Sequence, residues 1–213
     1  AKIQTWDGGR RLSVSLATPE ALAELLRVPS DPSGRGLSFL LRTSHDLSLV
    51  DSMIAAIGRF QCANGMLAPD AELLNKSKRK HTSGLTSAVL EASEAAARAL
   101  PEVAARMGRT LRAFADRALT REDVGSIMDR VLGEATPATT KTWHNVIDYV
   151  AGADGVFVPR AQVGQEYNAL QVLEAATAYD RHVVGRPDRV LEGKALGPRV
   201  YRELLSMVQC ERG

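Results

Sequence analysis

Alternating apolar and polar residues at the start of the chain predict a β-hairpin over residues 2–16. Leu12, Val14 and Leu16 alternate with serines, which is the period-2 pattern of a strand with one buried face. The preceding Asp7-Gly8-Gly9 segment supplies residues that accept the positive φ angles of a tight turn. The two runs on either side of this turn therefore pair as antiparallel strands.

A short helix and two further strands are predicted next. The helix covers 19–27, because Thr18 can act as its N-cap. The apolar run 37–41 is short enough for a strand. The composition of 47–57 also allows a helix, but the alternation of apolar residues favours a strand over 54–62.

From residue 83 onward the chain is rich in alanine and other strong helix formers. Pro101 either kinks the first helix or divides it, and Thr120-Arg121-Glu122-Asp123 resembles a capping box. The last helical run begins at about Leu196, and Gly197-Pro198 places the true start of its helix at Pro198. Residues 133–139 are predicted to be a loop, and 156–158 a short strand. The predicted helices cover 83–119, 120–132, 140–150, 166–183 and 196–208.

These patterns predict an α+β fold, with an N-terminal antiparallel portion that includes a short helix, followed by a layer of four or five helices. Because no linker, repeat or low-complexity segment interrupts the chain, residues 1–213 are predicted to form a single domain. Its strand-rich portion covers 1–82 and its helical portion covers 83–213.

The composition is that of an ordinary soluble protein, with 45% hydrophobic and 24% charged residues. No apolar run approaches the length of a membrane helix, and the start of the chain lacks a secretory signal, so we expect a cytoplasmic protein without a membrane partner. Cys62 and Cys210 are far apart in sequence and fit free thiols better than a disulfide framework. The formal net charge of +2 permits a nucleic-acid partner without requiring one.

Residues 37–82 contain several side chains of the types that act in catalysis or bind metal ions. Among them are His45, Asp46, Cys62 and His81. Such groups can ligate zinc, or Cys62 can act as a nucleophile with a histidine as its base. Metal sites usually bring their ligands in close pairs such as CxxC, and known cysteine hydrolases have local signatures, but this segment has neither. We therefore predict no catalytic residues, no metal and no cofactor, and keep His45, Cys62 and His81 as weak metal candidates.

A basic cluster ends this segment, with four formal positive charges among residues 76–80 and no acid between Glu72 and Glu91. Cations packed this closely repel one another, so the cluster favours an anionic partner such as a phosphate backbone, the alternative being a solvated loop. The predicted nucleic-acid-binding residues are Lys76, Lys78, Arg79, Lys80, His81 and Arg59.

Three elements occur in order in the first half: Ser44-His45-Asp46-Leu47-Ser48, then Arg59-Phe60-Gln61-Cys62-Ala63-Asn64-Gly65-Met66, then Lys80-His81-Thr82. With the later Thr142–Tyr149 and Glu192–Leu196 segments, they resemble the phage/plasmid-like family catalogued as domain of unknown function 932. The resemblance extends roughly from residue 37 to the C-terminus. It implies a cytoplasmic protein of a mobile element and no established reaction.

The favoured function is therefore non-enzymatic binding or annealing of single-stranded DNA in DNA recombination of a phage or plasmid, by a protein that can form a homo-oligomer. Strands followed by helices also look loosely like phage single-strand annealing proteins, which is an analogy of fold alone. Two alternatives stay open. One is an enzyme or zinc site centred on Cys62 and His81, and the other is a protein-interaction module that acts on a host factor.

Overall fold

The first half of the structure is an antiparallel sheet in which each strand pairs with the next one along the chain. Its strands are β1 (Lys2–Trp6), β2 (Arg11–Ala17), β3 (Arg35–Ser44), β4 (Ser52–Arg59) and β5 (Gly65–Leu67). The computed structural model describes residues 2–6, 11–17, 24–29, 35–44, 52–59, 65–67, 85–133, 136–151, 157–163, 167–180 and 195–210.

Four of the five strands overlap the runs that the alternating pattern predicted, whereas β5 was not predicted and β4 begins before residue 54. β1 and β2 pair as antiparallel strands over the predicted hairpin, and β3 extends beyond the predicted 37–41 run at both ends. The ambiguous 47–57 run contributes to β4, a strand, and not to a helix. Most of the predicted 19–27 helix lies outside the described residues.

The second half is mostly helical, which confirms the prediction for the residues after 83. Strands β6 (Tyr149–Ala151) and β7 (Phe157–Pro159) form a separate antiparallel pair in which Val150 lies opposite Val158. The elements are α1 (Leu85–Asp116), α2 (Arg121–Leu132), α3 (Pro137–Ile147), β6 (Tyr149–Ala151), β7 (Phe157–Pro159), α4 (Arg160–Val163), α5 (Ala169–Ala178) and α6 (Leu196–Cys210).

Local capping fixes where several of these helices begin. The predicted capping box is confirmed at α2, where the Thr120 hydroxyl accepts a hydrogen bond from the Asp123 N–H at 3.1 Å. The predicted end of the 133–139 loop is wrong, because Thr136 and Thr139 form a second capping box and α3 already begins at Pro137. The predicted end of this helix at 150 is also wrong, since the chain leaves α3 after Ile147 and enters β6.

Two predictions that concern proline need correction. α1 runs through Pro101 without being divided, so the alternative of two helices is wrong. α6 begins at Leu196 and not at Pro198, because the Asp180 carboxylate accepts hydrogen bonds from the N–H groups of Leu196 and Gly197 at 2.9 and 2.7 Å. A side chain distant in sequence thus caps the helix two residues earlier than its own sequence indicates.

α5 is the central helix of the core, since all of its residues except Gln171 are buried. A helix that is covered on every side must lie inside its domain. α1, α2 and α6 contribute Phe114, Ile127 and Leu204 to the same core. β5 lies beside α5 and α6, so the edge of the five-stranded sheet meets the helices.

A segment between β2 and β3 also belongs to this core, because Leu26 and Val28 are almost completely buried against the helices. Gly108 of α1 permits the close approach, since a Cβ atom there would lie 1.8 Å from the Leu25 carbonyl oxygen. Arg112 holds the segment, donating hydrogen bonds from Nη1 to the carbonyl oxygens of Leu25 and Arg27 at 3.3 and 3.0 Å.

None of the helices in the described part of the chain combines the length and the apolar character needed to cross a membrane. The assignment of residues 1–213 to one α+β domain stays a prediction.

Candidate functional site

The strands of the larger sheet carry a concentration of positive charge. β1–β5 contain five cationic residues, Lys2, Arg11, Arg35, Arg42 and Arg59, and no Asp or Glu. The whole chain has 27 Lys and Arg against 25 Asp and Glu, so the strands hold a formal charge of +5 and the rest of the chain −3. The small net charge therefore conceals a strongly cationic sheet.

The register divides the residues of the sheet between two faces, because successive residues of a strand alternate and directly paired residues share a face. The first face is mainly apolar. Its positions are Ile3, Thr5, Leu12, Val14, Leu16, Arg35, Leu37, Phe39, Leu41, Thr43, Met53, Ala55, Ile57, Arg59 and Met66. The opposite face, here called the polar sheet face, is polar at one end of the sheet and has aliphatic or glycine positions at the other. Its polar and aromatic positions are Lys2, Gln4, Trp6, Arg11, Ser13, Ser15, Ser38, Arg42, Ser44 and Ser52, and its remaining positions are Ala17, Gly36, Leu40, Ile54, Ala56, Gly58, Gly65 and Leu67.

Two adjacent rows of the polar sheet face concentrate its cations at one end of the sheet. The first row runs across three strands as Trp6, Arg11 and Ser44. The second runs across four strands and places Arg42 between Ser13 and Ser52. The two arginines are thus diagonal neighbours on β2 and β3.

Arg59, which the sequence nominates for nucleic-acid binding, lies elsewhere in the sheet. It ends β4 directly opposite Arg35 of β3, on the apolar face and at the far end from Arg42. Like charges placed directly opposite each other destabilise a pair of strands. This pair therefore favours an anion or a carboxylate nearby.

The other sequence candidates lie outside the described residues. These are His45, Cys62 and His81 for a metal or a cysteine-centred site, and Lys76, Lys78, Arg79, Lys80 and His81 for nucleic acid. The zinc, cysteine and basic-cluster interpretations stay predictions. Where the chain is described, no group of three or more His, Cys, Asp or Glu side chains has an arrangement that can hold a metal.

The helical half contains a cleft of about 490 Å³ lined by residues of α2, β6, β7 and α4 and by the residue that follows α3. Sequence reasoning did not identify it. Its lining residues are Arg121, Asp148, Tyr149, Pro159, Arg160, Ala161 and Tyr167. Asp148 and Tyr149 of this lining end the Thr142–Tyr149 segment, which carries part of the family resemblance.

Arg160 forms the floor of this cleft and is buried. Its Nε donates to the Ile147 carbonyl at 3.0 Å and its Nη2 to the Tyr149 carbonyl at 3.3 Å, while its guanidinium stacks 4.1 Å from the centre of the Tyr167 ring. Burial lowers the pKa of Arg160, and the nearby Tyr167 and Asp148 oppose that effect. The side chain thus joins the end of α3 to β6.

A polar cluster forms the rim of the cleft. Asp148 accepts a hydrogen bond from Arg121 Nη2 at 3.2 Å, and its other carboxylate oxygen lies 3.0 Å from His144 Nδ1. Trp143 packs edge-to-face on the His144 ring with a centroid distance of 5.3 Å. The Asp148 carboxylate thus bridges Arg121 and His144, and the four-residue spacing of His144 and Asp148 was the signal available in the sequence.

Comparison with known proteins finds one family. Residues 22–189 match the model of a domain of unknown function, DUF932. No curated protein and no solved structure matches the chain. The match begins before residue 37, where the predicted resemblance starts, and ends before the Glu192–Leu196 segment. The matched residues include β3–β5, α1–α5 and the cleft, whereas β1 and β2 precede them. The chain therefore belongs to the DUF932 family, as its motifs predicted.

Proposed function

We propose that this protein binds single-stranded DNA without catalysing a reaction, in the cytoplasmic DNA metabolism of a phage or plasmid. The observation that carries the proposal is the segregation of charge, with +5 on strands that contain no acid and −3 on the rest of the chain. Phosphates that contact these strand cations displace the condensed counterions of the DNA, whereas the acids nearest to the strands in the sequence, Asp7, Asp46 and Asp51, lie outside them. The proposed architecture is a single α+β domain with the sheet as its binding layer.

The basic cluster adds to the same proposal. Lys76, Lys78, Arg79 and Lys80 follow β5 closely in the sequence, which makes four more cations available to a strand of DNA bound at the sheet. A non-specific protein–DNA complex derives nearly all of its affinity from such phosphate contacts. We therefore expect little sequence specificity.

A sheet suits single strands better than duplex DNA. Reading a duplex generally requires an element that enters a groove, whereas an open sheet offers a surface on which unpaired bases can lie. Annealing of complementary strands follows if several copies of the protein hold their bases accessible. β1 is the outer strand at the other edge from β5, which meets the helices, and it is the candidate for pairing between copies.

The test is a gel-shift titration of the wild-type protein with labelled oligothymidylate at several salt concentrations. One variant replaces Lys76, Lys78, Arg79 and Lys80 with Ala, and a charge-matched control replaces four exposed helix cations with Ala. The control residues are Arg98, Arg109, Lys141 and Arg202.

The proposal predicts binding at low salt that weakens steeply as salt rises, a large loss in the cluster variant and little loss in the control. Absence of any shift at low salt contradicts DNA binding. Equal losses in both variants would mean that only the total charge matters and would remove the basic cluster from the site. Faster annealing of complementary oligonucleotides in the presence of the protein would extend the function from binding to annealing.

A further inference from the structure

We infer that the single strand lies on the polar sheet face, across β1–β3, with Trp6 as a stacking position and with Arg11 and Arg42 as phosphate-binding positions. This inference rests on the proposed function and assigns its surface. None of the nucleic-acid-binding residues predicted from the sequence is among the positions that the register identifies here; those residues are Lys76, Lys78, Arg79, Lys80, His81 and Arg59.

The two arginines lie within reach of one DNA strand. Arg11 pairs with Ser44, and Arg42 pairs with Ser13 in the next row on the same face. Diagonal neighbours of this kind are about 7–8 Å apart, so two long guanidinium side chains can contact nearby phosphates of one backbone. Arginine also suits the task because its planar fork matches the geometry of phosphate oxygens.

Trp6 provides the sequence-tolerant contact that single strands require. It pairs directly with Arg11, so an aromatic residue and a cation share one row. Stacking of a base on an aromatic ring contributes about 1–3 kcal/mol by alanine substitution and does not depend on which base is stacked. The arrangement thus offers one base contact beside two phosphate contacts.

The remaining positions of these rows are compatible with a polyanion. Gln4, Ser13, Ser44 and Ser52 carry neutral amide or hydroxyl groups that can donate hydrogen bonds to phosphate. No carboxylate occurs among the strand residues of the face, and the acids nearest to these rows in the sequence are Asp7, Asp46 and Asp51. The opposite face is mainly apolar, so it is the face that the fold needs to cover.

The decisive experiment compares two double variants by fluorescence anisotropy with labelled oligothymidylate. The test variant combines Arg11→Ala with Arg42→Ala. The control combines Arg109→Ala with Arg202→Ala, which removes the same charge from exposed helix positions. We expect the test variant to bind about tenfold or more weakly, and its slope of log affinity against log salt to fall in magnitude by about 1.4, while the control stays near wild type.

A second variant and a second readout protect the test against misfolding. Ser13→Glu places a negative charge beside Arg42 without removing a cation, and it is expected to weaken binding as well. The chain has two tryptophans, Trp6 and Trp143, so a Trp143→Phe protein reports on Trp6 alone. Oligothymidylate should quench its emission as a base stacks on the ring.

The outcomes separate this inference from the proposed function. If the wild-type protein does not bind single-stranded DNA, the proposed function fails. If it binds, but the Arg11/Arg42 variant equals the control and Trp6 emission does not change, DNA binding stands and the polar sheet face is overturned as its site. Tighter binding of duplex DNA than of a single strand of equal length also contradicts the assignment.

Discussion

Replacing Gly108 with Ala should detach the Leu25–Val28 segment from α1. A Cβ atom at this position would lie 1.8 Å from the Leu25 carbonyl oxygen, well inside the shortest distance that real Cβ atoms show. The obstacle is backbone and not the flexible end of a side chain, so the segment itself must move. Leu26 and Val28, which are buried by the present approach, would move with it.

The size of the effect follows from the contacts that the movement breaks. Arg112 donates two hydrogen bonds to carbonyl groups of the segment, and hydrogen bonds to charged groups contribute about 1.5–3 kcal/mol each. Alanine is favoured over glycine inside a helix by about 1 kcal/mol, which offsets part of the loss. Overpacking itself typically costs about 1–3 kcal/mol. Both hydrogen bonds are exposed to solvent, so the low end of each range applies, and we expect a net loss of about 3 kcal/mol in the free energy of unfolding.

Gly125 provides the matched control in α2. A Cβ atom there would meet only the Trp143 Cζ2 atom at 3.7 Å, an ordinary contact. Gly125→Ala should therefore stabilise the protein by about 0.5–1 kcal/mol through helix propensity alone. Urea unfolding followed by circular dichroism measures both variants, and unchanged m values would show that the transitions remain comparable.

Equal or greater stability of Gly108→Ala relative to the wild type would refute this reasoning. Such a result would mean that the Leu25–Val28 segment does not lie against α1 in solution. A loss of similar size in Gly125→Ala would point instead to a general sensitivity of the helices.

Three further predictions concern the cleft and the helix ends. Arg160→Lys should lower the free energy of unfolding by about 1–3 kcal/mol, because one ammonium group cannot replace a buried guanidinium that donates to the carbonyls of Ile147 and Tyr149. Arg130→Lys is the control, and it should change the free energy of unfolding by less than about 0.5 kcal/mol because Arg130 forms only an exposed ion pair. Asp180→Ala should cost about 1–2 kcal/mol, measured by urea unfolding, since it removes the acceptor of two N–H groups at the start of α6; no loss would contradict that cap. Hydrogen bonds from the Thr120 backbone and hydroxyl lower the pKa of Asp123 in the folded protein. The ionised carboxylate therefore stabilises the fold at pH values above the pKa of an unfolded Asp, about 3.9, and this contribution is lost as the pH falls through the lower pKa of the folded state. The stability gap between wild type and Asp123→Asn should therefore be present at neutral pH and narrow below pH about 4, and a gap that widens in acid would contradict the assignment.

Local patterns predicted the parts of the fold that depend on neighbouring residues. The alternation of Leu12, Val14 and Leu16 indicated β2, and the Thr120–Asp123 box indicated the start of α2. The start of α3 was missed because Thr139 occupies the position where a capping box usually has Glu or Gln. The start of α6 was missed because its cap, Asp180, is remote in sequence.

The candidate site depends more strongly on contacts that the sequence does not contain. Alternation assigns the residues of one strand to two faces, but only the pairing register places Arg11 and Arg42 in adjacent rows. Arg160 could not be recognised because its partners are mainly backbone carbonyls. The family motifs, by contrast, were readable directly, and residues 22–189 match the predicted family.

The salt dependence of single-stranded DNA binding by the wild-type protein tests the central claim most directly. Anisotropy titrations of labelled oligothymidylate at increasing salt give the number of phosphates that the protein neutralises, since the slope of log affinity against log salt is about −0.7 for each one. The proposed function predicts tight binding at low salt and a linear slope equivalent to several phosphates. Absence of binding at low salt, or an affinity that does not change with salt, would contradict it.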